Sequence, residues 1–167
     1  MDFNLETVVV FVTIILTGLT AGLCFTWTNS ITPGLGQLDD LGFLQAFQQM
    51  NRAIINPAFI LVFFGPFIGN LFTLYLKQQS IDKAFWLFVG AAAFFVLGVV
   101  FVTLFKNVPL NEILDKTVLE TASELELEAL RKNFEKSWKQ WHLVRTVSSL
   151  ASFALLLFGL LLANQSS

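Results

Sequence analysis

Four stretches of this chain carry no charged side chain: residues 7–38, 53–76, 84–105 and 146–167. Each is long enough to supply the roughly 20 apolar residues that cross a bilayer. Lipid offers no hydrogen bonds, so a crossing backbone must satisfy its own, and four such stretches imply four helices. The expected architecture is all-α: a four-transmembrane-helix bundle in one integral membrane domain over residues 1–167, with spans near 5–27, 57–77, 85–105 and 140–163. Composition agrees. Only 13% of residues are charged, about half the share usual for a soluble domain. Nineteen phenylalanines stand against one tyrosine, and phenylalanine brings no polar group to satisfy in lipid.

The start of the first span has Asp2 and Glu6 and no lysine or arginine, and its apolar run exceeds the core of about 7–15 residues typical of a signal peptide. It is expected to be a mature span. Gly18 and Gly22 form a Gly-x-x-x-Gly pair that permits close helix approach, and Trp27 stands where an interfacial anchor belongs. Thr32-Pro33-Gly34-Leu35-Gly36 should end the helix. Asp39 or Asp40 can cap the next one, where Phe43, Phe47, Met50 and Ile54 recur at helical spacing and predict an amphipathic segment. Asn56-Pro57 breaks it.

In the second span Pro66 should kink the helix and free backbone carbonyls, and Asn70 should face the bundle to find a partner. Residues 77–83 form a short polar hairpin, and residues 106–112, with Pro109, read as a turn after the third span. Ser123 and Glu126 make a capping box. From there Leu127, Leu130, Phe134, Trp138 and Trp141 hold a 3–4 spacing that runs without a break into the last span. The 1–2 and 3–4 connections thus both carry amphipathic helical segments. Basic residues outnumber those of the 77–83 hairpin on these long connections, which places them on the cytoplasmic side.

Candidate chemistry gathers at residues 138–145, Trp-Lys-Gln-Trp-His-Leu-Val-Arg. On one helix Glu135, Trp138, His142, Arg145 and Ser149 form a stripe. An acid, an imidazole and a guanidinium on one face can bind an anionic or phenolic ligand, or move protons. The alternative is that Arg145 snorkels to the headgroups and His142 is solvated. Asn51, Asn56, Asn107 and Asn111 lie at the same membrane level and can orient a phenol or carbonyl; asparagines are also ordinary turn and cap residues. Trp138 and Trp141 complete the candidate binding set, with Glu135, His142 and Arg145 as candidate catalytic groups. One histidine and one cysteine, Cys24, give no zinc or haem set, and no phosphate loop or dinucleotide fingerprint occurs. Neither cofactor nor metal is expected. A net charge of −2 gives no footprint for nucleic acid. The expected partners are membrane lipids and a lipophilic small molecule, and a homo-oligomer is compatible with the pattern.

Pro33-Gly34-Leu35, Phe47-x-x-Met50-Asn51, Asn56-Pro57-x-Phe59, Asn107-x-Pro109-Leu110-Asn111 and Trp138-x-x-Trp141-His142-x-x-Arg145-Thr146 occur in this order. In this pattern the chain resembles the small four-helix membrane proteins grouped with the fungal anthrone oxygenases. The resemblance implies a helical membrane protein and, for some members, oxidation of an anthrone to an anthraquinone by dioxygen. The family often has asparagine where His142 stands. Two functions compete: an oxygenase-like enzyme acting on a lipophilic phenol or polycyclic ketone, and a non-enzymatic protein that holds a lipid, quinone or partner subunit. An ion channel is disfavoured by the scarcity of ionisable groups deep in the spans.

Overall fold

The computed structural model describes residues 4–79 and 81–165. Asp2, Ser80 of the polar hairpin and the last two residues of the fourth charge-free stretch lie outside them. The described residues form five helices: α1 (Leu5–Leu35), α2 (Asp40–Ile54), α3 (Pro57–Lys77), α4 (Lys83–Lys116) and α5 (Glu124–Gln165). All but α2 are long and apolar enough to cross a membrane. Their outward faces are apolar, with Leu61, Ile68, Leu97, Phe158 and Leu161 all exposed, as suits contact with lipid. The chain is an integral, multi-pass membrane protein.

The four long helices form a ring in which α1 packs on α3 and α5, and α4 packs on α3 and α5. Glu6 and Lys77 pair at 2.7 Å, so the start of α1 and the end of α3 share one side. Small and hydroxyl residues share the ring's interior with large apolar ones such as Phe88, Phe95 and Leu156. Ser152 donates to the Ala91 carbonyl across α5 and α4 at 2.9 Å, and Thr28 and Thr146 join α1 to α5 at 2.8 Å. Asn70 is buried as expected, but its amide donates to Pro66 of its own helix at 2.8 Å. Gly18 lies against the Phe153 ring, whereas Gly22 has open space where a Cβ would stand; the glycine pair is not one close-packing surface.

Two helices run on past their expected ends. Pro33 does not stop α1, because a π-turn at Trp27–Ile31 precedes it and Thr32 gives both its N–H and its hydroxyl to the Trp27 carbonyl. Pro33 then enters the first turn of the resumed α-helix, where a missing N–H costs little. In α4, π-helical segments at Phe94–Phe101 and Thr103–Asn107 precede Val108, and Pro109 sits in the opening turn of the next α segment. The expected turn at 106–112 is therefore helix.

The amphipathic segment is α2, capped by Asp39, which accepts from Gly42 N at 2.8 Å. Its Phe43, Leu44 and Phe47 are buried with Trp27, Phe134 and Trp138. Ring centroids of Trp27, Phe47 and Trp138 stand 4.8 to 5.5 Å apart, contacts worth about 0.5–1.5 kcal/mol each beyond burial. Trp27 is thus a core residue and not an interfacial anchor. Gln48 ties α2 to α4 by donating to the Leu114 and Thr117 carbonyls at 2.7 and 3.0 Å. α5 opens with the predicted capping box: Ser123 N donates to Glu126 at 2.8 Å and Glu126 N to the Ser123 hydroxyl at 3.4 Å. Its 42 residues extend about 63 Å, twice a hydrocarbon core. The charged first third stands clear of the apolar stretch that begins after Lys139.

Candidate functional site

A cavity of about 280 Å³ lies at the end of the bundle where α1 finishes and α3 begins. That volume is at the small end of the roughly 300–1,000 Å³ usual for small-molecule sites. Its walls come from α1 (Leu23, Cys24, Trp27), the end of α2 and the elbow into α3 (Asn51, Ile54, Ile55, Phe59), α4 (Thr103, Asn107, Asn111) and α5 (Trp138, His142, Arg145). The elbow turns at Ile55, with the Asn56 N–H donating to the Ile54 carbonyl at 2.9 Å, a three-residue turn. The two π-turns that carry α1 and α4 past their prolines stand beside the cavity and contribute Trp27, Thr103 and Asn107. Such turns recur at functional sites because they misalign the backbone ladder.

His142 is buried at 4% exposure, so the solvated alternative does not hold. Its Nε2 stands 3.1 Å from the Cys24 carbonyl oxygen. A carbonyl only accepts, so Nε2 carries a proton, and in the neutral ring Nδ1 keeps a lone pair. Nδ1 has no hydrogen-bond partner. Thr146 donates to the same carbonyl at 3.3 Å. The imidazole stacks on Trp138, centroids 4.5 Å apart and planes 13° from parallel. Trp138 is held in turn, its Nε1–H donating to Asn111 Oδ1 at 2.8 Å. Asn107 is fully buried and donates to the Trp138 carbonyl at 3.3 Å, leaving its Oδ1 without a partner.

Arg145 does not snorkel. It is 9% exposed, its guanidinium lies 5.9 Å from the Phe63 ring centroid, and its Nε has no partner. Asn51 also lines the cavity with an unpartnered Nδ2. Buried polar groups are nearly always hydrogen-bonded. Here four unpartnered atoms belong to four residues of one cavity, and they include donors and acceptors.

Of the nine sequence candidates, six line this cavity: Asn51, Asn107, Asn111, Trp138, His142 and Arg145. Three do not. Glu135 shares their helical stripe but is bound by Arg131 at 3.1 Å and by Lys139. Burial works to raise its carboxyl, yet the hydrogen bonds from Lys139 and Arg131 outweigh this and hold it below the ordinary glutamate value. Trp141 lies under the Lys106 ammonium, 4.9 Å from its ring centroid. Asn56 is exposed and caps α3, accepting from Phe59 N at 3.0 Å. The sequence reading missed Cys24, Trp27 and Phe59 as cavity residues. Trp27 read as an interfacial anchor because nothing in a linear apolar run tells which face a π-turn will present. Among the described residues no three histidine, cysteine or acidic side chains gather into a metal-binding group.

Fold and site together define a multi-pass membrane protein with a ligand-sized cavity at one membrane face, apolar in its walls and polar in a few convergent groups. The chain belongs to the anthrone oxygenase family, whose match spans residues 52–155. That span takes in Asn107, Asn111, Trp138, His142 and Arg145, while Cys24, Trp27 and Asn51 lie before it. No curated protein and no solved structure matches the chain.

Proposed function

We propose that the cavity oxidises a lipophilic phenol or anthrone-type ketone with dioxygen, without a cofactor. The observation that carries this reading is His142: its Nε2–H is committed to the Cys24 carbonyl, which in the neutral ring leaves Nδ1 as a buried lone pair on the same cavity as the Arg145 guanidinium, whose Nε has no partner. In this reading Nδ1 takes a proton from the methylene opposite the substrate carbonyl. The negative charge moves to the carbonyl oxygen, where Arg145 and the asparagine amides stabilise it. The electron-rich carbon combines with dioxygen and, with the proton returned, becomes a hydroperoxide. Loss of water leaves a second carbonyl, so each turnover consumes one dioxygen and releases one water. Apolar walls at a membrane face suit a substrate dissolved in the bilayer.

The test is oxygen uptake and quinone formation by the purified protein with an anthrone, compared with His142→Ala and Arg145→Ala. Turnover above the uncatalysed rate, reduced at least 100-fold in both variants, supports the reading. A wild-type rate equal to background overturns it.

A second reading, a non-enzymatic holder of a lipid or quinone, is favoured by the same Arg145, whose Nε has no partner. It expects retained ligand, lost in Arg145→Ala, with no oxygen uptake. For orientation, the basic residues of the two long connections support a cytoplasmic placement of the cavity end. In a Cys24→Ala background, Lys116→Cys should resist a membrane-impermeant maleimide in intact cells while Lys83→Cys reacts; the reverse pattern inverts the topology.

A further inference from the structure

Arg145 carries a full positive charge into the apolar part of the bundle, and nothing described in the chain neutralises it. The acids on its cavity are engaged by other cations: Asp115 pairs with Arg52 at 2.6 Å and Glu112 with Lys116 at 3.4 Å. The remaining ion pairs among the described residues join Glu6 to Lys77, Asp40 to Arg131, and Glu135 to Arg131 and Lys139. Around Arg145 stand the Phe63 ring, the Cys24 side chain and the His142 imidazole, none of them an anion. An ionised group in a membrane interior is costly unless it is paired. A second unpartnered donor, Asn51 Nδ2, belongs to the same cavity. The remaining walls are apolar and aromatic, with Leu23, Trp27, Ile54, Ile55, Phe59 and Trp138 among them.

We infer that the cavity is built to hold a lipophilic oxyanion, an apolar body bearing one carboxylate or phenolate whose charge is matched by Arg145. The guanidinium supplies planar paired donors suited to such a group, Asn51 adds a further donor, and the aromatic walls take the body. The inference rests on the same cavity as the oxygenase reading and names the charge Arg145 meets there, whether on a ligand that arrives ionised or on the enolate formed in turnover. It requires no turnover, so the two readings fail separately.

The test is a binding measurement on the full chain purified in detergent. Anthracene-9-carboxylate is the probe, with anthracene-9-carboxamide as its uncharged counterpart. At pH 8 the carboxylate should bind at least tenfold tighter than the amide. Arg145→Met should abolish that preference and leave the ligand-free protein melting at or above the wild-type temperature, because an uncompensated buried charge has been removed. Asn51→Asp is the second variant, and its added negative charge should weaken the carboxylate at least tenfold. Competition by dodecanoate at equal strength supports the inference with a membrane-derived acid as the source; much weaker competition supports it with an aromatic acid. Equal binding of carboxylate and amide, a preference that survives both substitutions, a lower melting temperature for ligand-free Arg145→Met, or displacement by chloride at matched concentration would each overturn it. An anthrone that fails to turn over leaves this result intact.

Discussion

Thr20 of α1 donates its hydroxyl to the Val62 carbonyl of α3 at 2.7 Å. Val62 lies four residues before Pro66, the position whose backbone N–H would otherwise reach that carbonyl. One helix thus repairs the gap that proline opens in its neighbour. Thr20→Val should cost about 1 kcal/mol of stability in detergent unfolding, within the range for hydrogen bonds between membrane helices. In a Pro66→Ala background, where the N–H returns, the same substitution should be nearly neutral. Equal costs in both backgrounds would show that the two residues are not coupled.

Gly98 of α4 faces Ser148 of α5 so closely that a Cβ there would overlap the serine side chain. Gly98→Ala should destabilise the protein by about 1–3 kcal/mol, the usual cost of overpacking. Gly22→Ala has open space and should be silent or slightly stabilising through helix propensity. Melting temperatures of the two variants, measured side by side, check the contrast.

Arg131 gathers the α1–α2 connection onto α5. Its two terminal nitrogens donate to the Leu38 and Gly36 carbonyls at 2.7 and 2.9 Å, it pairs with Asp40 and Glu135, and it lies over the Phe43 ring. Arg131→Ala should cost about 2–3 kcal/mol, because bonds from a charged donor are among the stronger ones. Arg131→Lys should recover less than half of that, since an ammonium cannot fork to two carbonyls. Arg52→Ala, which breaks an exposed pair with Asp115, should cost under about 1 kcal/mol. Chemical denaturation of the three variants ranks them.

The capping box at the start of α5 gives a pH dependence. Glu126 accepts from the backbone and side chain of Ser123, and these bonds hold its carboxyl below the ordinary glutamate value. Because the folded value is depressed, the cap is intact above the unfolded value and is lost as pH falls through the folded one. Amide exchange in the first turn of α5, corrected for intrinsic rate, should therefore accelerate on acidification. In Glu126→Gln it should be faster at neutral pH and flat below it.

The spans were legible because a bilayer imposes a coarse condition, an uncharged stretch of sufficient length. Ser123 with Glu126, and Phe43 with Phe47, were legible for a local reason: their partners lie within one turn or on one helical face. Pro33 and Pro109 misled because a proline's usual effect presumes an α register, and the π-turns ahead of them supply another. Glu135 misled because helical spacing places a side chain on a stripe without saying which neighbour takes it; Arg131 and Lys139 did. The alignment of His142 with the Cys24 carbonyl depends on two helices far apart in sequence, and no pattern along either one contains it.

A π-turn amounts to one residue more than an α-helix needs over the same distance. The cavity borrows Trp27 from one such surplus and Thr103 and Asn107 from another. Removing a single residue from Trp27–Ile31 would let α1 wind regularly over the same distance, keeping Pro33 and Gly34 near their present neighbours but taking away the widened turn that carries the helix past Pro33 and stands beside the cavity. A lipid-facing stretch of the same length would tolerate such a loss as a change in tilt or depth. Around this cavity, then, the number of residues is as much a determinant as their kind.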